Sequence, residues 1–262
     1  MSNYVELIPE EIVFPRARFS SDGEYDTYNE KVKSFNSEKA RDSLKVSREG
    51  SQLFQVSLLN QLGIKTANLS EIYHIWDINP NFLSGHYEDV PKVVLRTNGD
   101  SYSPNDLVAR TLYDAAKKRS FIKGNLKHSH VLRGLKVEEN KDSEYGLVLV
   151  PGEDFSCEEA PVFDYENNER KFLRVEKEMP VLLSDKDISE LPEEDKQKLK
   201  TLYTGKEGVS RLFVNSSSNL NSDLRNLSYS LSYSMVVVID SMGFSPKKLE
   251  DYLLSLKEER KN

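Results

Sequence analysis

Residues 213–234 read FVNSSSNLNSDLRNLSYSLSYS and run without a break into MVVVID at 235–240. The second run has the dense apolar, β-branched character of a buried strand, so the fold turns on what the chain does just before it. Eight of the 22 residues in 213–234 are Ser, four Asn, four Leu and two Tyr, with a single Phe, Val, Asp and Arg. Lys, Glu, Gln, Met and Trp are absent from it, although Lys and Glu crowd the rest of the chain. The alternation in LSYSLSYS (227–234) fits a strand with Leu and Tyr turned inward, and the Ser/Asn content fits a loop.

Outward from this segment, a polar helix with Pro192 near its start is expected through PEEDKQKLKTLYTG (192–205), closed by Gly205. A helix is likewise expected after it, in SPKKLEDYLLSLKEER (245–260), with Leu249, Leu253, Leu254 and Leu256 near one side. The middle third changes period. HVLRGLKVEEN, EYGLVLVPG, APVFDYE, RKFLRVEKE and MPVLLSD are short alternating or apolar runs separated by Asn, Asp, Gly and Pro, the pattern of antiparallel strands, with ENNER as a hairpin turn. Lys92–Thr97 reads as a strand. The segment behind it, SPNDLVARTLYDAAKKR (103–119), reads as a helix capped by Ser103, with Pro104 at its first position and cations in its last turn.

The first eighty or so residues are polar and mostly helical by pattern. Leu53, Val56, Leu58, Leu59 and Leu62 fall near helical spacing in a run starting at Lys39, and Gly63 stands where a helix commonly stops. LSEIYHIWDINP (69–80) reads as a short helix or turn. Helices and antiparallel strands mix without a regular βα alternation, so the class is α+β. The organisation expected is a polar helical region at 1–88, a ligand-binding domain at 89–242 and a C-terminal amphipathic helix at 243–262.

A net charge of −7 excludes a general nucleic-acid binder, which needs a basic stripe. The single cysteine, Cys157, excludes an intramolecular disulfide and a Cys-rich zinc site. The N-terminus carries acids where a secretory signal needs a basic start and an apolar run. No apolar stretch reaches membrane-spanning length, so a soluble protein made in the cytoplasm is expected, without membrane insertion. No phosphate-cradling Gly loop, G-x-S-x-G elbow or H-E-x-x-H is present. His128 and His130 form an H-x-H without an evident third ligand, Cys157 reads as a small buried hydrophobe and Trp76 as core. No cofactor and no catalytic or metal-ligating residue is assigned.

The five residue types missing from 213–234 are encoded only by codons ending in A or G, whereas every type present has a codon ending in C or T. Randomising the two adenines of AAC, an asparagine codon, yields Ser, Asp, Tyr, Leu, Phe, Val and Arg, and never Lys or Glu. With GVSRL at 208–212, Leu220, Leu227 and Ser230 at intervals and VVVI at 236–239, the segment resembles the variable regions of target proteins of diversity-generating retroelements, in which reverse transcription mutates template adenines. Its frame is similar to that of microbial and archaeal members, with Ser234 and Met235 replacing a Gly-Arg pair.

The resemblance implies a C-type-lectin-like domain with a mixed, mainly antiparallel sheet, displaying a hypervariable ligand-binding surface. On that reading Phe213, Asn215, Ser216, Ser218, Asn221, Asp223, Leu224, Arg225, Tyr229, Leu231 and Tyr233 meet the ligand, a protein or other macromolecule. Leu220 and Leu227 are inward anchors. Tyr offers large contact area at low entropic cost while Ser and Asn adapt their hydrogen bonds, so the composition suits recognition, with Arg225, Tyr229 and Tyr233 as hot spots. The second functional class is an enzyme or enzyme subunit with a Ser/Asn-rich loop near its site.

Overall fold

The computed structural model describes residues 4–6, 22–45, 50–78, 87–96, 105–164, 169–205, 208–222, 227 and 234–239. Helices α1 (Asp22–Lys33), α2 (Glu38–Leu44), α3 (Gln52–Gln61) and α4 (Leu69–Ile78) precede strand β2 (Tyr87–Leu95) and helix α5 (Asp106–Lys118). Then come β3 (His130–Glu139), β4 (Leu147–Glu159), β5 (Glu169–Glu176) and β6 (Met179–Leu182). Two short helices, α6 (Asp185–Glu190) and α7 (Glu193–Lys196), lead to β7 (Lys200–Thr204), β8 (Val209–Val214) and β9 (Leu220–Ser222). Helices and a mixed sheet in this order make the chain α+β.

Among the described residues the large sheet has nine strands. Eight run in the order β4-β3-β2-β8-β9-β7-β5-β6, antiparallel except where β9 meets β7. The ninth, β10 (Ser234–Met235), pairs in parallel with Tyr87 and Glu88 of β2. Strand β2 is the spine, because β3 takes Lys92–Leu95, β8 pairs along much of its length and β10 takes its start. Alternate β2 residues enter opposite cores. Val93 and Leu95 enter the core that α1, α2, α3 and α5 help to line, while Val90 and Val94 enter the one that holds Leu69, Ile72 and Ile75 of α4. Burial on both faces explains the unbroken apolar run Val93–Leu95 in this strand.

The polar first third therefore contributes more than a third of the described residues of the main core. Every residue from Gln52 to Leu59 of α3 is buried, polar ones included. The expected continuous helix from Lys39 is broken between Leu44 and Gln52. A Cβ on Gly50 would lie 1.9 Å from the Lys45 carbonyl oxygen, so only glycine allows the backbone to approach Lys45 there, and Ser51 restarts the helix by accepting from the Phe54 amide. Gly63 has φ +81 beyond Leu62, as expected for the position after a helix end.

Further expectations differ from the structure. The α5 N-cap is Asn105 in place of Ser103; 103 and 104 lie outside the described residues. APVFDYE (160–166) forms no strand in its described part, Pro161–Phe163 being one turn of 3-10 helix that seats Phe163 in the second core. KTLYT, expected as helix, is β7, because pairing with β5 and β9 overrides its local propensity. Gly205 therefore follows a strand. Within VVVID, Val237–Ile239 is β11, which pairs with β1 (Tyr4–Glu6) in a separate two-stranded sheet and does not fill the centre of the large one. The expected C-terminal helix at 243–262 and most of ENNER (166–170) lie outside the described residues.

The hairpin of β5 is made instead with β6, through a two-residue turn at Lys177 (φ +48) and Glu178 (φ +65). Such turns normally use Asn-Gly, because both residues need a left-handed backbone. Glu178 holds the strained turn through its carboxylate, which accepts from the Leu69 amide at 2.8 Å, the Ser70 amide at 3.1 Å and Lys92 Nζ at 3.0 Å.

Candidate functional site

The Ser/Asn-rich segment starts inside the sheet. All six residues of β8 are buried, and Leu212 and Val214 face α4. Arg211, just before them in β8, lays its guanidinium 5.0 Å from the Phe213 ring centroid and forks onto Asp89 of β2. Nearby, Arg96 donates to Ser210 Oγ at 2.6 Å and to Ser222 at both its carbonyl (2.6 Å) and its hydroxyl (2.7 Å). These networks keep the β8–β9 reversal on a fixed base, since each charge is desolvated and needs its partners.

The reversal is organised by Asn215. Its amide donates to Asn219 O at 2.8 Å, and its Oδ1 accepts from the amides of Ser217 (2.9 Å) and Asn219 (3.0 Å). The Ser218 amide closes onto the Asn215 carbonyl at 2.9 Å. From outside, Tyr73 Oη donates to Ser218 O at 3.1 Å, and Asn219 Oδ1 accepts from the Thr201 amide at 2.8 Å. Contacts to backbone and to two asparagine side chains thus fix the turn. Ser217 is exposed and Ser216 and Ser218 partly so, and none of their hydroxyls is used in holding it.

Of the eleven expected ligand-contacting residues, Asn215, Ser216 and Ser218 are brought together on this turn. Phe213 and Asn221 are corrected. Phe213 is 3% exposed because it lies in β8 beneath Arg211 and against Tyr87, and Asn221 is 7% exposed because β9 is flanked by β7 and β8. Asp223, Leu224, Arg225, Tyr229, Leu231 and Tyr233 lie outside the described residues. Leu220 and Leu227, the expected anchors, are fully buried, one in each core.

The other candidates resolve differently. His128 precedes β3, and its Nδ1 lies 2.6 Å from Asp164 Oδ2, while His130 turns its own Nδ1 to the His128 carbonyl. Among the described residues no group of three or more His, Cys, Asp or Glu is placed to hold a metal ion. Cys157 is buried on β4, and that burial pushes its thiol up to about 12. Trp76 packs against the second core. No helix among the described residues is long and apolar enough to cross a membrane.

Residues that carry the site without having been singled out are Asp89, Arg96 and Arg211, together with Ser222. The available signal was a charge set inside an apolar run, as in EDVPKVVLR (88–96) and SRLFV (210–214), where a strand buried on both faces obliges such groups to pair. No family model, curated protein or solved structure matches the chain.

Proposed function

We propose that the chain is a non-enzymatic binding protein whose recognition surface is a diversified segment beginning at Ser216, just past the turn-holding side chain of Asn215, of the kind displayed by the variable proteins of diversity-generating retroelements. The observation that carries this reading is the Asn215–Asn219 turn, whose backbone is held without the side chains of Ser216, Ser217 and Ser218. A surface meant to vary needs this separation, since any side chain that helped hold the loop could not be exchanged. Preorganisation also lowers the ordering cost of binding a macromolecule.

In this proposal Phe213, Asn215, Asn219, Leu220, Asn221, Ser222 and Leu227 form the constant frame. The finer fold, C-type-lectin-like, belongs to the same proposal. Mainly antiparallel strands packed with helices support it. The pairing of Val237–Ile239 with β1 departs from the central strand expected.

Sequencing the gene and its flanks across many cells of one population tests the reading. The expected result is a near-copy of codons 208–239 beside a reverse-transcriptase gene, with codons 216–218 varying only at positions where the copy has adenine and those of Phe213, Leu220 and Leu227 constant. Absence of the copy, or substitutions spread evenly over frame and turn, would overturn it.

A further inference from the structure

A cleft of about 610 Å³ opens where the loop between α3 and α4, the tip of the β5–β6 hairpin and an irregularity in β3 and β4 meet. None of its lining residues belongs to 213–234. Its size is that of a small-molecule site.

The sheet is deformed to make it. Between Arg133 and Leu135 of β3, the partner strand β4 runs from Ser156 to Pro151, so a bulge of several residues faces the single Gly134. Gly134 has φ +68, and a Cβ there would lie 2.3 Å from the Asp154 carbonyl oxygen. Only glycine permits that approach. Register also shifts in β2 between Asp89 and Val93, around Pro91, which lines the same cleft. Bulges of this sort re-aim side chains and gather beside functional sites.

Two cations face the cleft from adjacent strands. Lys92 and Arg133 are direct cross-strand partners and so share one face of the sheet. Like charges in that relationship repel. Lys92 is also desolvated, its side chain 5% exposed, and its one bond among the described residues is to Glu178. Arg133 uses Nε on Ser156 Oγ at 2.6 Å and Nη2 on Glu158, leaving Nη1 without a partner among the described residues. An oxyanion between the two would take up the remaining donors and offset both the repulsion and the desolvation. Lys65 stands at the wall already paired with Glu71 at 3.2 Å, and Asp154 and Glu178 line the cleft as carboxylates. That balance suits one anionic head and disfavours a polyanion.

We propose that this cleft binds a small molecule through a single oxyanion head, carboxylate or phosphate, held between Lys92 and Arg133. The site is separate from the recognition turn and stands whether or not that segment is diversified.

Thermal unfolding of the full chain tests it, with inorganic phosphate and acetate each titrated at constant ionic strength against chloride. One of the two is expected to raise the midpoint saturably, and which one does so names the head group. Arg133→Gln should weaken the half-saturating concentration about tenfold, and Arg133→Lys, which keeps the charge without the fork, by less. Arg174→Gln should leave it unchanged, because Arg174 is exposed and paired with Glu176 outside the cleft. Should Arg133→Gln fail to fold, Arg133→Lys carries the comparison. No saturable rise with either anion, or the same titration in wild type and both Arg133 variants, would overturn the proposal.

Discussion

The guanidinium of Arg211 forks onto the carboxylate of Asp89 between β8 and β2, Nε donating to Oδ1 over 2.8 Å and Nη2 to Oδ2, with neither residue more than 2% exposed. Removing one partner of such a pair leaves an uncompensated buried charge, so Arg211→Met is expected to cost about 3–5 kcal/mol. Adding Asp89→Leu to that variant removes the orphaned carboxylate and should recover a large part of the loss. Urea denaturation of both variants measures the difference. A double variant no more stable than the single one would mean that the fork is not the source of the penalty.

Frame and turn should separate on mutation. Phe213→Ala should cost about 3–5 kcal/mol and Leu220→Ala about 2–5, as core truncations do. Ser216→Ala and Ser217→Ala should stay within about 0.5 kcal/mol. Ser218, at φ +61, is a special case. Glycine there should stabilise by up to about 1 kcal/mol, while valine should destabilise because a β-branched residue resists the left-handed region. Equal losses at Ser217 and Leu220 in chemical denaturation would remove the basis for treating the turn as replaceable.

Gly63 and Gly134 share a left-handed backbone, but only Gly134 is also crowded. Nothing lies within 4 Å of a Cβ added to Gly63, whereas at Gly134 the Asp154 carbonyl lies at 2.3 Å. Gly63→Ala should therefore cost the conformational penalty alone, about 1 kcal/mol, and Gly134→Ala distinctly more, about 2 kcal/mol or above. Comparable midpoint shifts in a melting experiment would show that β4 yields easily and that the bulge is not a rigid wall.

The His128–Asp164 contact predicts a two-sided pH response. The hydrogen bond to Asp164 raises the imidazole pKa above its ordinary 6.5. Burial by itself would push the Asp164 carboxyl up, but bonds from Ser129 and His128 outweigh it and bring it below its ordinary 3.8. A raised histidine contributes stability that is complete below pH 6.5 and disappears as pH climbs through the folded value. A lowered carboxyl contributes above pH 3.8 and loses that contribution as pH falls through its folded value. The join between β3 and the 3-10 turn should hence be firmest between these limits. In an NMR titration Asp164→Asn should bring the His128 midpoint back towards 6.5; an unmoved midpoint would show that the carboxylate does not act on the ring.

What could be read from the sequence was local. Leu53 to Leu62 repeat at helical spacing and Gly63 ends them, and both signals survive in α3 because the helix satisfies its own backbone. Lys200 to Thr204 were misread because a short Leu-Tyr run after a charged helix has no periodicity of its own. Their strand exists through β5 and β9, neither of them adjacent in sequence. Val237–Ile239 shows the same limit from the other direction: an apolar run announces a strand but does not name its partner, here β1. In the candidate site, buried Leu220 and Leu227 were legible as apolar residues at intervals. The burial of Phe213 and Asn221 was not, since residue types shared by loops and strands do not disclose which neighbours will close over them.

Ser51 starts α3 and also donates its hydroxyl to the carbonyl of Leu227, 176 positions along the chain. During synthesis, then, the core around α3 cannot close before residue 227 has left the ribosome, and Val236 joins it later still. Until that moment the nascent chain carries Leu53, Val56 and Leu59 with part of their cover still unmade, a surface on which a trigger-type chaperone has time to act.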